Sequence, residues 1–494
     1  MKVILAGYNI DSDVIEALKR NSQPRQDVTP ETLSASYARI SRDSRPVNEL
    51  RAIARAEVDK ARRSNRNIIF KMGHHSVAEH AVFNFDIIGL SRLATEELEK
   101  FRLSSFTEKS QRYITLGDDY LIPEEVRKVG KEDIFCQMIE AQNELYHRFH
   151  QRLHSHFFAK FKELASEPKA HSKLDGWAKE DARYIVSLAT LGQLGMTVNA
   201  RNLEFIIRHL AARKLAELQE LTNQLYSAAK KIAPSIILFT DPSDFDTKVY
   251  AELRERAKPW LKSSTNSNYK VQLVDFTPEA DTKLIASLFH TSSSLSYNQC
   301  LEKARELSFE QKKNYLMTAF KYMEFYDAVL REFEYVDLTF DLVVSASCYA
   351  QLKRHRLTTQ TVQNYNPHLG VTVPVSIEDI GAKSEFMAMI EKTNQAYFDF
   401  KKKLESGAEY ILTNAHRRRL LLKVNARELY HISRLREDTS AQWEIRALVS
   451  KMSQLAKQTM PLTFLLLGGK DYYPEIYKKL FGQPPQKLLP KLQT

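Results

Sequence analysis

Apolar and polar positions along the chain follow two periods. Lys2-Val-Ile-Leu-Ala-Gly-Tyr8, Phe83-Asn-Phe-Asp-Ile-Ile88 and Val336-Asp-Leu-Thr-Phe-Asp-Leu-Val343 have the length and apolar spacing of β-strands. Glu49 to Arg63 and Asn199 to Ile232 carry apolar residues three and four apart and read as helices. Leu215, Leu218 and Leu225 run down to Pro234, and Ile445, Leu448, Met452 and Leu455 run down to Pro461. Each describes a helix with one buried face, stopped by proline. Strands interleaved with helices predict an α+β chain.

The pattern occurs twice. Lys2–Tyr8 is echoed by Lys270-Val-Gln-Leu-Val-Asp-Phe276, and Thr197-Val-Asn-Ala-Arg201 by Lys423-Val-Asn-Ala-Arg427. Pro234 and Pro461 follow the second motif at nearly equal distances. A single short match recurs by chance, but ordered matches at near-equal spacing point to tandem duplication. Ser263-Ser-Thr-Asn-Ser-Asn268 reads as a polar linker between the copies. The expectation is two similar domains, 1–262 and 269–494, each a mixed sheet flanked by helices.

Composition narrows the chemistry. The chain has 494 residues, a formal charge of +11 and 43% hydrophobic residues, which is ample for packed cores. Glycine is scarce at 14 residues, and neither G-x-G-x-x-G nor G-x-x-x-x-G-K-S/T occurs. The common backbone cradles for phosphate are therefore excluded, and an anion has to be met by side chains. No apolar run approaches the ~18 residues of a membrane span. The N-terminal apolar stretch reaches Asp11 too soon for a signal peptide. Cys136, Cys300 and Cys348 are too few and scattered for a disulfide framework or a Cys-rich zinc site. A cytoplasmic protein with no membrane association is expected.

Two segments carry candidate chemistry. Gly73-His-His-Ser-Val-Ala-Glu-His80 has ligand-type residues but no known metal spacing, so no metal is expected. Histidines hydrogen-bonded in a packed turn are the plainer reading. Further on, Glu108, Ser110 and Arg112 alternate, and an extended chain would point all three to one face. A carboxylate, a hydroxyl and a guanidinium together suit an anionic ligand with a neighbouring ring. The competing reading is a solvated, charged strand edge.

These segments resemble the flavin-dependent thymidylate synthases, whose motif is R-H-R-x-x-S-x-N-E-x-S-x-R-Y. The first copy has Lys100-Phe101-Arg102, then Ser105, Thr107, Glu108, Ser110, Arg112 and Tyr113 in the motif positions, and Arg183 downstream. It has Glu97 where the family has a glutamine and Leu210 where the family has an arginine. The second copy shows the reverse. It has Gln351, Arg354-His355-Arg356, Asn425, Arg427, His431, Arg436 and Ala441-Gln-Trp-Glu444. Gln351 and Arg354, three apart, are expected on one helical face. Val362, Asn364, Asn366 and Pro367 replace the substrate loop, and Glu409 replaces the counterpart of Arg183.

The losses are complementary, so the resemblance implies a working enzyme whose sites join both copies. It implies conversion of dUMP to dTMP with methylenetetrahydrofolate, FAD and NADPH. The implied catalytic residues are Glu108, Ser110, Arg354 and His74. Ser110, Arg112, Arg183, Gln351, Arg354 and Arg436 would bind dUMP. Ser76, Glu79, Arg354, His355, Arg356, Asn425, Arg427 and His431 would bind FAD. A homodimer would act as a pseudo-tetramer. Lys100-Phe101-Arg102, and Thr359 in place of a serine, keep open an inactive flavin- or nucleotide-binding homologue. The net charge and His416-Arg-Arg-Arg419 raise nucleic-acid binding, but no aromatic-interleaved motif accompanies them and no nucleic acid is expected.

Overall fold

Four strands organise the first repeat: β1 (Lys2–Tyr8), β2 (Val82–Ser91), β3 (Ser105–Glu108) and β4 (Leu191–Asn199). They form one sheet in the order β1-β2-β4-β3, antiparallel throughout. β5 (Val271–Phe276), β6 (Asp337–Ser345), β7 (Thr359–Val362) and β8 (Arg417–Asn425) repeat that order as β5-β6-β8-β7, again antiparallel. The expected α+β class with two similar sheets and flanking helices is what the chain adopts, and neither sheet contains a parallel pair. A computed structural model describes residues 1–20, 26–261, 270–324 and 326–485. The linker Ser263–Asn268 lies outside the described residues.

The chain groups into two compact units. One comprises Met1–Thr265 with Val373–Asn414, and the other Asn266–Thr372 with Ala415–Thr494. In the first, Phe83, Phe85 and Ile87 of β2 and Leu194, Met196 and Val198 of β4 are buried. The intervening Asn84, Asp86, Gln193, Gly195 and Thr197 are exposed. That is the period-two signature of a half-buried sheet. The apolar face packs on the helices Ala200–Ala211 and Ala216–Ile232 through Leu203, Ile206, Leu218 and Leu225. The predicted helix over 49–63 is two helices, Val47–Ala56 and Val58–Arg66, because Glu57 leaves helical geometry at φ −126°, ψ 58°.

A second layer of this unit comes from segments far apart in sequence. The helices Glu132–Lys160 and His171–Ala182 pack with Lys383–Lys403. Phe135 meets Phe400 edge-on at 5.9 Å, and the Gln142 amide donates to Thr393 Oγ1 at 2.9 Å and to the Ile411 carbonyl at 3.1 Å. The long insertion before Arg183 thus supplies a helical layer.

In the second unit Leu338, Phe340 and Leu342 of β6 and Leu420, Leu422 and Val424 of β8 face a core with Leu429, Ile432, Ile445 and Met452. His416-Arg-Arg-Arg419 is absorbed into this fold. Arg417 donates to Thr372 Oγ1 at 3.0 Å, Arg418 is buried against the rings of Tyr349 and Tyr365, and Arg419 pairs with Asp341 at 3.0 Å. Among the described residues no helix is long and apolar enough to cross a membrane.

The same junction occurs separately within each unit. Ser91 caps the helix Arg92–Leu98, and Glu217 accepts its N–H at 2.7 Å and its hydroxyl at 2.6 Å. Ser345 caps Ala346–Leu352, and Glu444 accepts the same two groups at 3.3 and 2.5 Å. Glu217 therefore occupies the place of the glutamate in Ala441-Gln-Trp-Glu444. It also accepts the Tyr410 hydroxyl at 2.8 Å, and burial pushes its carboxyl above the usual range. Glu217→Ala leaves three buried donors without an acceptor. The expected loss is about 3 kcal/mol, read as a lowered urea midpoint by tryptophan fluorescence.

Candidate functional site

In the first unit the substrate-type residues sit where β3 ends. Glu108 is its last residue, opposite Leu194 of β4. The chain then turns, with the Ser110 hydroxyl accepting the Arg112 N–H at 3.1 Å. The expected alternation of 108, 110 and 112 along one strand is therefore not realised. A hydroxyl two residues before a backbone N–H favours a turn over continued pairing. Glu108 and Ser110 nevertheless line one hollow, with Arg92, Lys109, Gln111 and Asp119.

Charges fill the surroundings. Arg92 is buried and pairs with Glu108 at 2.8 Å and with Glu96 at 3.4 Å. Arg112 is held by the Glu180 carboxylate of the helix His171–Ala182. Arg183, just beyond that helix, is 5% exposed. Neither its Nε nor its Nη2 has a hydrogen-bond partner among the described residues. Burial pushes the guanidinium below its usual range, Glu180 opposes that, and the like charges of Arg112 and Arg92 add to it. A buried cation with unmet donors is costly to the fold, and an anion at those donors would relieve the cost.

The second unit carries a cavity of about 670 Å³. Arg354, His355, Arg356, Asn425, Arg427 and His431 line it with Arg331, Glu334 and Glu428. Six of the eight residues that the family resemblance assigns to the cofactor thus meet in one place. Asn425 caps the helix Ala426–Arg436 by accepting the Glu428 N–H at 2.8 Å. Arg427 is fixed by Glu334 at 2.9 Å and the Val329 carbonyl at 2.8 Å.

Gln351 and Arg354 do not share a helical face. The helix ends at Leu352, where the chain closes a turn with the His355 N–H on the Leu352 carbonyl at 3.2 Å. Gln351 is buried, with neither amide atom hydrogen-bonded among the described residues, while Arg354 is exposed. Arg436 donates to His355 Nε2 at 2.9 Å and to the Gln351 carbonyl at 3.3 Å.

The matching place in the first unit has changed polarity. His355 and His431 meet edge-on at 6.1 Å, and Phe101 and Phe205 meet edge-on at 5.7 Å. Leu210, in the position of Arg436, is packed in the core. Glu97, in the position of Gln351, pairs with Lys100. His74, Ser76 and Glu79 lie exposed on or beside the turn His75–His80, with Glu79 bound to Arg201 at 2.5 Å. That pair repeats Glu334–Arg427, so Glu79 has a structural partner. Among the described residues no group of three or more His, Cys, Asp or Glu could hold a metal.

Sequence reasoning missed Arg92, Glu180 and Glu428. Glu180 was visible as a carboxylate one helical turn before Arg183, a spacing that brings side chains together. Arg92 directly follows the capping Ser91, and its counterpart after Ser345 is Ala346, so the asymmetry was legible once the repeats were aligned on those serines.

The chain matches the family described as thymidylate synthase complementing protein over residues 26–235 and 272–462. A UPF0159 protein of Chlamydia pneumoniae is 23% identical over 435 residues, 84% of this chain and 82% of the relative. A flavin-dependent thymidylate synthase of Clostridium tetani is 30% identical over 218 residues, 43% of this chain and 83% of the relative. A solved flavin-dependent thymidylate synthase of Helicobacter pylori, complexed with FAD and dUMP, is 19% identical. It covers 49% of this chain and 100% of its own, with a TM-score of 0.32. The chain belongs to the thymidylate synthase complementing protein family and carries the family's unit twice.

Proposed function

We propose that this chain is a flavin-dependent thymidylate synthase. It converts dUMP to dTMP with methylenetetrahydrofolate as carbon donor and NADPH as reductant. Each competent site takes residues from both repeats, and two chains act together as a pseudo-tetramer. The observation that carries the reading is Arg183. It is a buried guanidinium with open donors, kept in the repeat that retains the Glu108–Ser110–Arg112 loop. Gln351, buried with an amide lacking partners among the described residues, is a second open group, at a non-equivalent position of the other repeat.

Arg112, Arg183 and Arg436 take the dUMP phosphate, where guanidinium donors match phosphate oxygens. Ser110 and Gln351 hydrogen-bond the nucleotide, and Arg354 lies against its base. Glu108, fixed by Arg92, accepts a hydrogen bond from the nucleotide or from a water beside it. The cavity of the second unit fits FAD by its donor set. Arg354, Arg356 and Arg427 offer guanidiniums to a pyrophosphate, and Asn425, His355 and His431 offer hydrogen bonds to its flanks. His74, Ser76 and Glu79 serve the flavin and folate side. When bound, the flavin would supply the reducing equivalents and carry the one-carbon unit, and the chain's own groups bind, orient and exclude water. No cysteine nucleophile is required, in keeping with Cys300 and Cys348 being buried.

Tritium release from dUMP labelled at carbon 5, with FAD, NADPH and the folate present, tests the activity directly. Binding of FAD and dUMP without release would instead favour an inactive homologue. Arg183→Ala is expected to abolish release, whereas Glu409→Ala, at the equivalent position of the other repeat, should leave it nearly unchanged. Equal effects of the two would overturn the division of roles. Arg183→Met removes the buried charge but keeps the bulk. Its thermal midpoint should stay level or rise, because an unsatisfied buried cation is lost, while dUMP binding weakens at least about tenfold.

A further inference from the structure

Arg436, His355 and Glu428 form a line of side chains through the second unit. The Arg436 Nε–H donates to His355 Nε2 at 2.9 Å. A guanidinium has donors and no acceptor, so Nε2 carries no proton and the imidazole is neutral with its hydrogen on Nδ1. That nitrogen lies 3.8 Å from Glu428 Oε1, beyond a direct hydrogen bond. His355 and Glu428 are each 4% exposed. Burial, reinforced by Arg436, His431 and Arg354, holds His355 well below the usual imidazole range, in agreement with the neutral ring. Burial also lifts Glu428 to about 7, with Arg427 opposing.

The first repeat lacks all three groups together. Leu210, Phe101 and Asn202 stand at the corresponding positions. Phe101 keeps the edge-on ring packing, so ring packing at this place does not require a nitrogen. What the histidine adds is an acceptor for Arg436. The acceptor is uncharged, so this contact orients the guanidinium without neutralising it. Arg112, whose partner is the Glu180 carboxylate, is anchored in the opposite way.

We propose that His355 is the positioning residue for Arg436 and orients its guanidinium for the dUMP phosphate. The proposal rests on the reading of Arg436 as a phosphate ligand. His355 also lines the cavity assigned to FAD, so one ring serves the substrate arginine and the cofactor cavity.

The test is calorimetric titration of dUMP into the full-length, FAD-saturated protein, with flavin content measured separately by absorbance. His355→Phe, which installs the first repeat's residue, should weaken dUMP binding about tenfold. His355→Gln, whose side-chain oxygen can accept from Arg436, should recover most of that loss. If Arg436→Ala weakens dUMP binding but His355→Phe does not, positioning is overturned while the phosphate reading stands. If Arg436→Ala itself has no effect, the phosphate reading falls. Equal weakening by His355→Phe and His355→Gln also overturns the proposal.

Discussion

Each unit depends on a serine at the end of its second strand being gripped by a glutamate from a distant helix. Ser91 and Glu217 are 126 residues apart, and Ser345 and Glu444 are 99 apart. The serine hydroxyl caps the next helix, at Ala94 N–H in one unit and at Cys348 N–H in the other. The glutamate accepts both the hydroxyl and the serine N–H. One carboxylate thereby fixes the strand end, the start of the following helix and the helix that covers the sheet. Functional residues are then placed by counting from that point. Arg92 enters the Glu108 cluster at the first helical position, and the segment from Gln351 to Arg356 leaves the helix beside the Asn425 cap. A buried carboxylate with these donors costs little while all are present and much when any is missing.

Around this shared frame the two copies have exchanged polarity at matching positions. The first keeps Arg92, Glu108, Arg112, Glu180 and Arg183 close to β3, a set of charges drawn from three separate segments. The second keeps the arginines, histidines and asparagine around one cavity. The ring pair survives in both, as His355–His431 and as Phe101–Phe205. Ring packing is thus kept while hydrogen-bonding capacity is not, as a core that tolerates shape-conserving replacement permits.

The sequence made much of this visible. Alternation and the repeated N-A-R motif made the strands and the duplication legible, because short-range periodicity and fixed motif spacing survive in a single chain, while the two residue sets came from the family resemblance. The second-unit cavity brought together its predicted residues for the same reason, since they lie on one helix start and one adjoining turn. What failed was local geometry and long-range partnership. Ser110 turned the chain where alternation suggested a continuing strand, since one side-chain hydrogen bond outweighs the preference of a short edge segment. The helix expected to carry Arg354 ends two residues before it, at Leu352. Glu217 was hidden because the Ala-Gln-Trp that marks its counterpart is absent, and only its contact with Ser91 reveals the equivalence. The place of 373–414 beside the helix Glu132–Lys160 has no signature in local periodicity, because it is decided by which apolar faces meet.

The energetics explain why the division between copies carries meaning. Where the first repeat has lost the glutamine and the arginine, their replacements are satisfied internally. Glu97 pairs with Lys100, and Leu210 joins the core. Where each repeat has kept its residue, the polar atoms are left open. Arg183 and Gln351 are both buried, and both hold donors without partners among the described residues. Selection for stability alone removes such groups, since a satisfied or apolar side chain of similar size is the more stable choice. Arg183 and Gln351 lie one in each copy and at non-equivalent positions, and their open donors are the groups that the proposed nucleotide-binding roles would satisfy.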